Sequence, residues 1–188
     1  MIFPLFHRGP RRDTISALYG MIVAQARLPC FYRDYAVADT VNGRFDLIVL
    51  HLALLLDRLA QEAALRSLGQ GVFDRFCQDM DHNLREMGVG DLKVPKEIRR
   101  MGEVFYGSQK AYLAALVAPE NSPALAEAVA RNIYGASPAA PAAAPRLAAY
   151  MREAVRDLKA QDGAGLAAGL LRLPDPAAIP ATTGWIRA

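Results

Sequence analysis

The chain has few of the residues on which catalysis, metal binding and disulfide frameworks most often depend. Its 188 residues include only two cysteines and three histidines. Cys30 and Cys77 are far apart, lack metal-ligand spacing, and predict free thiols in a reducing compartment. No Ser/His/Asp or Cys/His pair stands at motif spacing, and Gly88-Val89-Gly90 lacks the context of a phosphate loop. We therefore predict no enzyme and no cofactor.

Long apolar runs and a strong net charge are also missing. The longest run, Leu47 to Leu56, is interrupted by His51 and is about half of the roughly twenty residues that a bilayer needs. The apolar start, Met1 to Phe6, is too short for a secretory signal, and its arginines follow it. The net charge of +3 is too small to indicate a DNA-binding protein. We expect a soluble cytoplasmic protein.

Period-two alternation is absent as well, so we predict an all-α fold, a single compact bundle of six to eight helices. The first expected helix runs from Asp13 or Thr14 to Leu28, and further helices are expected over about 44–68, 73–87, 95–117 and 122–134. Cys30 to Asn42 is expected to form a short helical turn and loop. Turns are expected at Asn42-Gly43 and at Gly69-Gln70-Gly71. The domain organisation is predicted as a helical domain (1–136), an extended Pro/Ala linker (137–145), a C-terminal helical segment (146–173) and a flexible tail (174–188) that includes Trp185.

The predicted helix over 44–68 is apolar nearly all round. Leu47, Leu50 and Leu54 project opposite its main stripe, so the helix is either central to the bundle or keeps one face for a partner. In the helix over 95–117, Gly102 and Gly107 suggest close helix approach or a ligand near the backbone.

The stretch from Phe73 to Pro95 is the most informative. An amphipathic helix ends at Gly88, which suits a left-handed closing residue, and Gly90 permits a second unusual backbone angle. Pro95 fits the first turn of the next helix. The sequence therefore predicts a tightly shaped joint between two helices.

This stretch, continued to Tyr112, resembles the ubiquinol-cytochrome c chaperone family, and the resemblance covers about residues 12 to 135 of the chain. The resemblance rests on Asp79-Met80-Asp81, on Asn83-Leu84-Arg85-Glu86-Met87-Gly88-Val89-Gly90-Asp91, and on the following basic helix with Phe105-Tyr106-Gly107. It implies a non-enzymatic chaperone that binds newly made cytochrome b at the membrane surface and promotes maturation of ubiquinol-cytochrome c reductase, respiratory complex III.

The resemblance also implies partners and a location. Mitochondrial members act in the matrix with a small co-chaperone and near the ribosome, and for this chain both partners are left open. The alanine- and arginine-rich composition suggests a bacterial relative, acting in the cytoplasm or peripherally at the inner face of the inner membrane.

Polar and apolar residues around the joint form the expected partner-binding surface. An acidic flank lies beside a basic helix start, and exposed apolar side chains would supply the centre of the contact. The predicted residues are Leu50, Leu54, Asp79, Asp81, Asn83, Arg85, Glu86, Asp91, Lys93, Lys96, Arg99, Arg100 and Tyr106.

Structural alternatives stand beside these predictions. Arg85 and Glu86 could only brace the Gly88 turn. The cations from Lys93 to Arg100 could contact anionic lipid or ribosomal RNA, and so could a second cluster at Arg8, Arg11 and Arg12. Alternatively, Asp91, Glu97 and Glu103 could neutralise the cations from Lys93 to Arg100.

A second function class is a small helical enzyme or binding protein for a lipid-like ligand. Asp79, His82 and Glu86 share one helical face and could form its polar end or hold a metal, although a solvated face is favoured. His51 is expected to be a buried histidine with a backbone or hydroxyl partner rather than a base.

Overall fold

A computed structural model describes residues 12–180, and over this range the chain is helical without β-strands. The all-α prediction is confirmed. The predictions for Arg8, Arg11 and Trp185 lie outside the described residues. The helices are α1 (Arg12–Ala26), α2 (Pro29–Arg33), α3 (Val41–Ala60), α4 (Arg66–Glu86), α5 (Val94–Leu116), α6 (Ala124–Val129), α7 (Ala140–Ala160) and α8 (Gly163–Ala167), with a π-helical turn at Ala130–Tyr134 and 3₁₀ turns at Ala63–Leu65 and Pro176–Ala178.

Helix α3 is the central element of the bundle, and α1, α4, α5 and α7 all pack against it. Burial on every side explains why its sequence is apolar nearly all round. Leu50 and Leu54 are 0 % and 2 % exposed. The expectation that these two leucines supply an exposed partner-binding surface is therefore wrong, because they belong to the core.

The boundaries around α3 and α4 differ from the prediction. Asn42-Gly43 lies in the first turn of α3, where the Thr40 hydroxyl caps the helix by accepting from the Gly43 amide at 3.1 Å. Gly69 and Gly71 lie inside α4. A Cβ on Gly69 would make an ordinary contact with the Leu59 Cβ at 3.5 Å, so this glycine lies against α3 within the helix and does not form a turn.

The predicted extended linker is also wrong in its conformation. Helix α7 begins at Ala140 and includes Pro141 and Pro145. Pro141 is in the first turn, where no backbone donor is needed, and the surrounding alanines favour a helix. Ala144 and Leu147 are buried in the same hydrophobic core as the rest of the bundle. The division of the chain into domain, linker and C-terminal segment stays a prediction.

The start of the predicted flexible tail is held in place up to residue 180. The Tyr35 hydroxyl donates to the Pro176 carbonyl at 2.7 Å. The Arg146 guanidinium donates to the Ile179 carbonyl at 2.9 and 3.2 Å and lies over the Tyr35 ring. These contacts tie the segment to α7 and to the residues after α2, which corrects the prediction for 174–180.

Candidate functional site

The joint between α4 and α5 is a shaped corner. Gly88 has φ +79°, its amide donates to the Arg85 carbonyl at 3.0 Å, and the Val89 amide donates to the Leu84 carbonyl at 3.0 Å. This pattern closes a helix through a left-handed residue. Pro95 lies in the first turn of α5. The predicted left-handed conformation of Gly88 and the predicted place of Pro95 in the first turn are confirmed. The unusual backbone angle expected at Gly90 is not found, because its φ is not positive. Residues 84–100 are called the corner below.

Arg85 braces the corner. Its guanidinium donates to Asp81, one turn earlier on α4, at 2.7 Å, and it also contacts Asp91 in the loop. The same contact lowers the pKa of the Asp81 carboxyl. The structure thus supports the structural alternative for Arg85. Glu86 instead pairs with His82 at 3.1 Å on the exposed side of α4.

Large apolar side chains are exposed at the corner and beside it. Leu92 is 98 % exposed and Met87 54 %. Val41 at the start of α3 and Val104 on α5 are 64 % and 40 % exposed. Such a cluster on an otherwise complete core is typical of a surface that meets a partner.

An open groove of about 370 Å³ connects several of these side chains. It lies between the start of α3, the end of α4 and the first half of α5. This feature is called the corner groove, and its lining residues are Val41, Asn42, Phe45, Asp46, Leu84, Met87, Glu97, Arg100, Met101 and Val104. Most of the lining is apolar, so the groove is suited to apolar side chains of a ligand or a partner.

One charged side chain of the groove, that of Asp46, is partly buried. Burial raises the pKa of its carboxyl to about 6, with no compensating cation or hydrogen bond. Within residues 12–180 no side chain forms an ion pair or a hydrogen bond with it. The sequence prediction missed this residue; the available signal was an acidic residue inside the apolar stretch that begins at Phe45.

The basic residues of the corner are exposed. Arg100 contacts Glu97 at 3.5 Å. Lys93, Lys96 and Arg99 form no ion pair with any described residue. The alternative in which local carboxylates neutralise the whole cluster therefore holds only for Arg100, and Asp91 serves Arg85 instead.

Tyr106 lies apart from the corner. It is 58 % exposed, about two turns along α5 from Arg99, and its ring is 5.7 Å from that of Phe73. Of the predicted partner-binding residues, Asp81, Arg85 and Asp91 are in direct contact at the corner, whereas Tyr106 borders another groove, lined by α3, α4 and α5. Their role in binding stays a prediction.

Asp79, His82 and Glu86 do not converge on a cavity. The Tyr19 hydroxyl donates to Asp79 at 2.9 Å, and the Asn83 amide lies 3.4 Å from the same oxygen. His82 and Glu86 point to solvent with side chains 70 % and 64 % exposed. No group of His, Cys, Asp and Glu side chains in residues 12–180 could hold a metal ion. The favoured interpretation, a solvated helix face, fits this geometry.

His51 is a structural residue, as predicted. It is fully buried, with Nδ1 2.7 Å from the Leu47 carbonyl and Nε2 2.8 Å from the Tyr150 hydroxyl. Burial lowers its pKa to about 4.

Comparisons with known proteins agree on one family. The family model described as "Ubiquinol-cytochrome C chaperone" matches residues 33–173. The chain is 26 % identical over 137 residues to "Ubiquinol-cytochrome-c reductase complex assembly factor 1" of Xenopus laevis, which covers 72 % of this chain and 68 % of that protein. The crystal structure of the Cbp3 homolog from Brucella abortus superimposes with a TM-score of 0.79 at 37 % identity, covering 89 % of this chain and 92 % of that one.

Proposed function

Because this chain belongs to the ubiquinol-cytochrome c chaperone family, we propose that it binds newly made cytochrome b at the membrane surface during assembly of respiratory complex III. The family consists of chaperones and assembly factors, so the chain is not an enzyme. The finer proposal names the client and the place at which the chaperone meets it.

The observation that supports client binding is the corner with its groove. Leu92, Met87 and Val41 are exposed although the core beneath them is complete. An apolar centre with a charged rim is the composition of a typical protein-binding surface. The acidic flank with Asp81 and the basic rim with Arg99 would fix the register of the client and speed its encounter.

The membrane surface is proposed from the same corner. No helix within residues 12–180 is long and apolar enough to cross a bilayer. The exposed cations Lys93, Lys96 and Arg99 follow the exposed Leu92 in the chain. Each cation near an anionic leaflet contributes about 1 kcal/mol of binding free energy. A chaperone held there would meet a membrane protein as it emerges. The proposed location is the inner face of the inner membrane. Binding of a small co-chaperone and of the ribosome stays a prediction.

The proposed function is tested by deleting the gene in its native host and measuring assembled complex III by native gel electrophoresis and haem spectra. We expect loss of the assembled complex and of spectroscopically detectable cytochrome b, with both restored by the intact gene. Normal levels of the complex in the deletion strain would contradict the proposal.

The client-binding face is tested by site-specific photo-crosslinking in cells. A crosslinker at Leu92 or Arg99 is expected to capture cytochrome b. A crosslinker at Val117, which is 87 % exposed at the far end of α5, is the matched control. Equal capture from Val117 and Leu92 would argue against the corner.

A further inference from the structure

The Asp46 carboxylate is the least satisfied charge of the corner groove. It lies on α3 among the residues that line the groove and has lost part of its hydration without gaining a partner. A desolvated carboxylate is costly unless a cation or several donors meet it. A partner that brings a cation into the groove would therefore gain binding free energy at this position.

The groove walls specify what else that partner needs. Phe45, Leu84 and Met101 present apolar surface on three helices, and the exposed Val41 and Val104 extend that surface outward. A small hydrated cation would leave these walls in contact with water. A long side chain with an apolar stem and a cationic head, as in lysine or arginine, covers the walls and reaches the carboxylate.

We propose that the corner groove binds an apolar client segment through one lysine or arginine whose cationic head pairs with Asp46. The inference rests on the proposed function, because it assigns the client's contact to this groove and names the chemistry that recognises it. It also explains why an isolated acidic residue interrupts an apolar helix.

The charged and titratable neighbours of Asp46 are compatible with this pairing. On α5 they are Glu97 and Arg100, which contact each other, and Tyr112, whose hydroxyl is neutral near pH 7. The groove residues from α4, Leu84 and Met87, are apolar. Asp46 is thus the group available to a cation, and binding should weaken as the carboxyl is protonated on acidification.

The proposal is tested with the full chain and two synthetic probes. One is a short acetylated leucine-alanine helical peptide with a single central lysine, and its twin has norleucine there. Fluorescence anisotropy at about pH 8 should show about tenfold tighter binding of the lysine peptide, the size of a partly desolvated ion pair. The advantage should shrink at about pH 5, where Asp46 is mostly protonated.

Asp46→Asn should abolish the preference for lysine while leaving the norleucine peptide bound as before. Glu103→Gln, an exposed carboxylate of α5 that does not line the groove, is the matched control and should keep the preference. Equal binding of both peptides by the unchanged chain, or no binding of the lysine peptide, overturns the proposal. Dimerisation of the chain through the groove, with displacement of the peptide, would also overturn it by naming another occupant.

Failure of this inference is distinguishable from failure of the proposed function. If Asp46→Asn loses the lysine preference but supports normal complex III levels in cells, the peptide contact is not the client contact and the chaperone function stands. If deletion of the whole gene leaves the complex unaffected, the proposed function itself fails.

Discussion

At the scale of single residues, His51 shows how an ionisable group can be purely structural. Its Nδ1 faces a carbonyl, which only accepts, so Nδ1 has the proton and Nε2 accepts from the Tyr150 hydroxyl. The Gln25 side chain donates to the same hydroxyl at 3.0 Å and to the Pro174 carbonyl at 2.8 Å. A neutral histidine thus links α1, α3 and α7 inside the core.

This arrangement predicts acid sensitivity. The unfolded histidine titrates near its ordinary value of 6.5, whereas burial lowers its pKa in the folded chain to about 4. Between these values only the unfolded chain takes up the proton, so His51's contribution to the free energy of unfolding falls as the pH drops. From pH 7 to pH 5 the loss is about 2 kcal/mol, measurable by urea denaturation.

Asp46 changes the free energy of unfolding in the opposite direction. Its pKa is raised in the folded chain, so between the ordinary pKa of an aspartate and about 6 the folded chain binds the proton more tightly than the unfolded chain. The measurement is therefore made in an Asp46→Asn background. An unfolding free energy that is flat over this range would contradict the role assigned to His51.

The two residues also mark the limit of sequence reasoning at this scale. His51 was predicted correctly because a lone histidine in an apolar helix needs a partner wherever it is buried. Asp46 was missed because its environment is set by α5, which lies about fifty residues later in the chain. Local patterns show that a charge interrupts an apolar stretch, but not which helix covers it.

At the scale of elements, the corner depends on one left-handed residue. Gly88→Ala should lower the free energy of unfolding by about 1 kcal/mol, because an L side chain is strained at φ +79°. Space is not the cause, since a Cβ there would meet nothing within 4 Å. Gly90→Ala is the matched control, with open space and no positive φ, and should change stability little. Equal effects in urea denaturation would contradict this assignment.

The end of α7 depends on a buried arginine. Arg58 is 7 % exposed and donates to the Leu158 and Gln161 carbonyls at 3.0 and 2.8 Å, while it pairs with Glu62. Arg58→Met would leave the Gln161 carbonyl without its donor and the Leu158 carbonyl with only the Gln161 amide at 3.4 Å, and should cost about 3 kcal/mol of stability.

The matched control is Arg156→Met, because Arg156 forms its ion pairs with Glu153 and Glu120 on the exposed surface. Its loss should cost less than about 1 kcal/mol. Thermal and urea unfolding of both variants give the comparison, and similar losses would show that the buried contacts of Arg58 add nothing.

Elements with clear end signals could be predicted from sequence. Helix α5 begins within one residue of the prediction because Gly88 and Pro95 bracket its start. Errors arose where glycine and proline serve packing rather than turns. Gly71 lies inside α4 and faces Ile15 of α1, and Pro145 lies within α7. In both cases tertiary contacts outweighed the local preference of the residue for a turn. Gly102 and Gly107, expected to permit close approach, face open space instead.

At the scale of the whole molecule, the position of the partner surface stays a prediction, and part of its predicted apolar centre is buried. Asp81, Arg85 and Arg99 lie at or directly beside the helical joint that the sequence already showed. The apolar centre was assigned to Leu50, Leu54 or Tyr106. The two leucines are core residues and Tyr106 is exposed, whereas the exposed Leu92 and Met87 were not predicted. Exposure depends on which faces the bundle leaves uncovered, and a helix that is apolar all round does not show this.

The charge of the whole surface gives the last prediction. If the corner contacts anionic lipid, changing Lys93, Lys96 and Arg99 to glutamine should weaken binding to phosphatidylglycerol vesicles by about two orders of magnitude, since each cation contributes about 1 kcal/mol. The matched control changes Lys110, Arg131 and Lys159, three other exposed cations, to glutamine. Vesicle co-sedimentation at low and high salt measures both, because screening should abolish most of the difference. Equal weakening by the two triple variants would mean that binding follows net charge alone, and that the corner is not the part of the surface that faces the membrane.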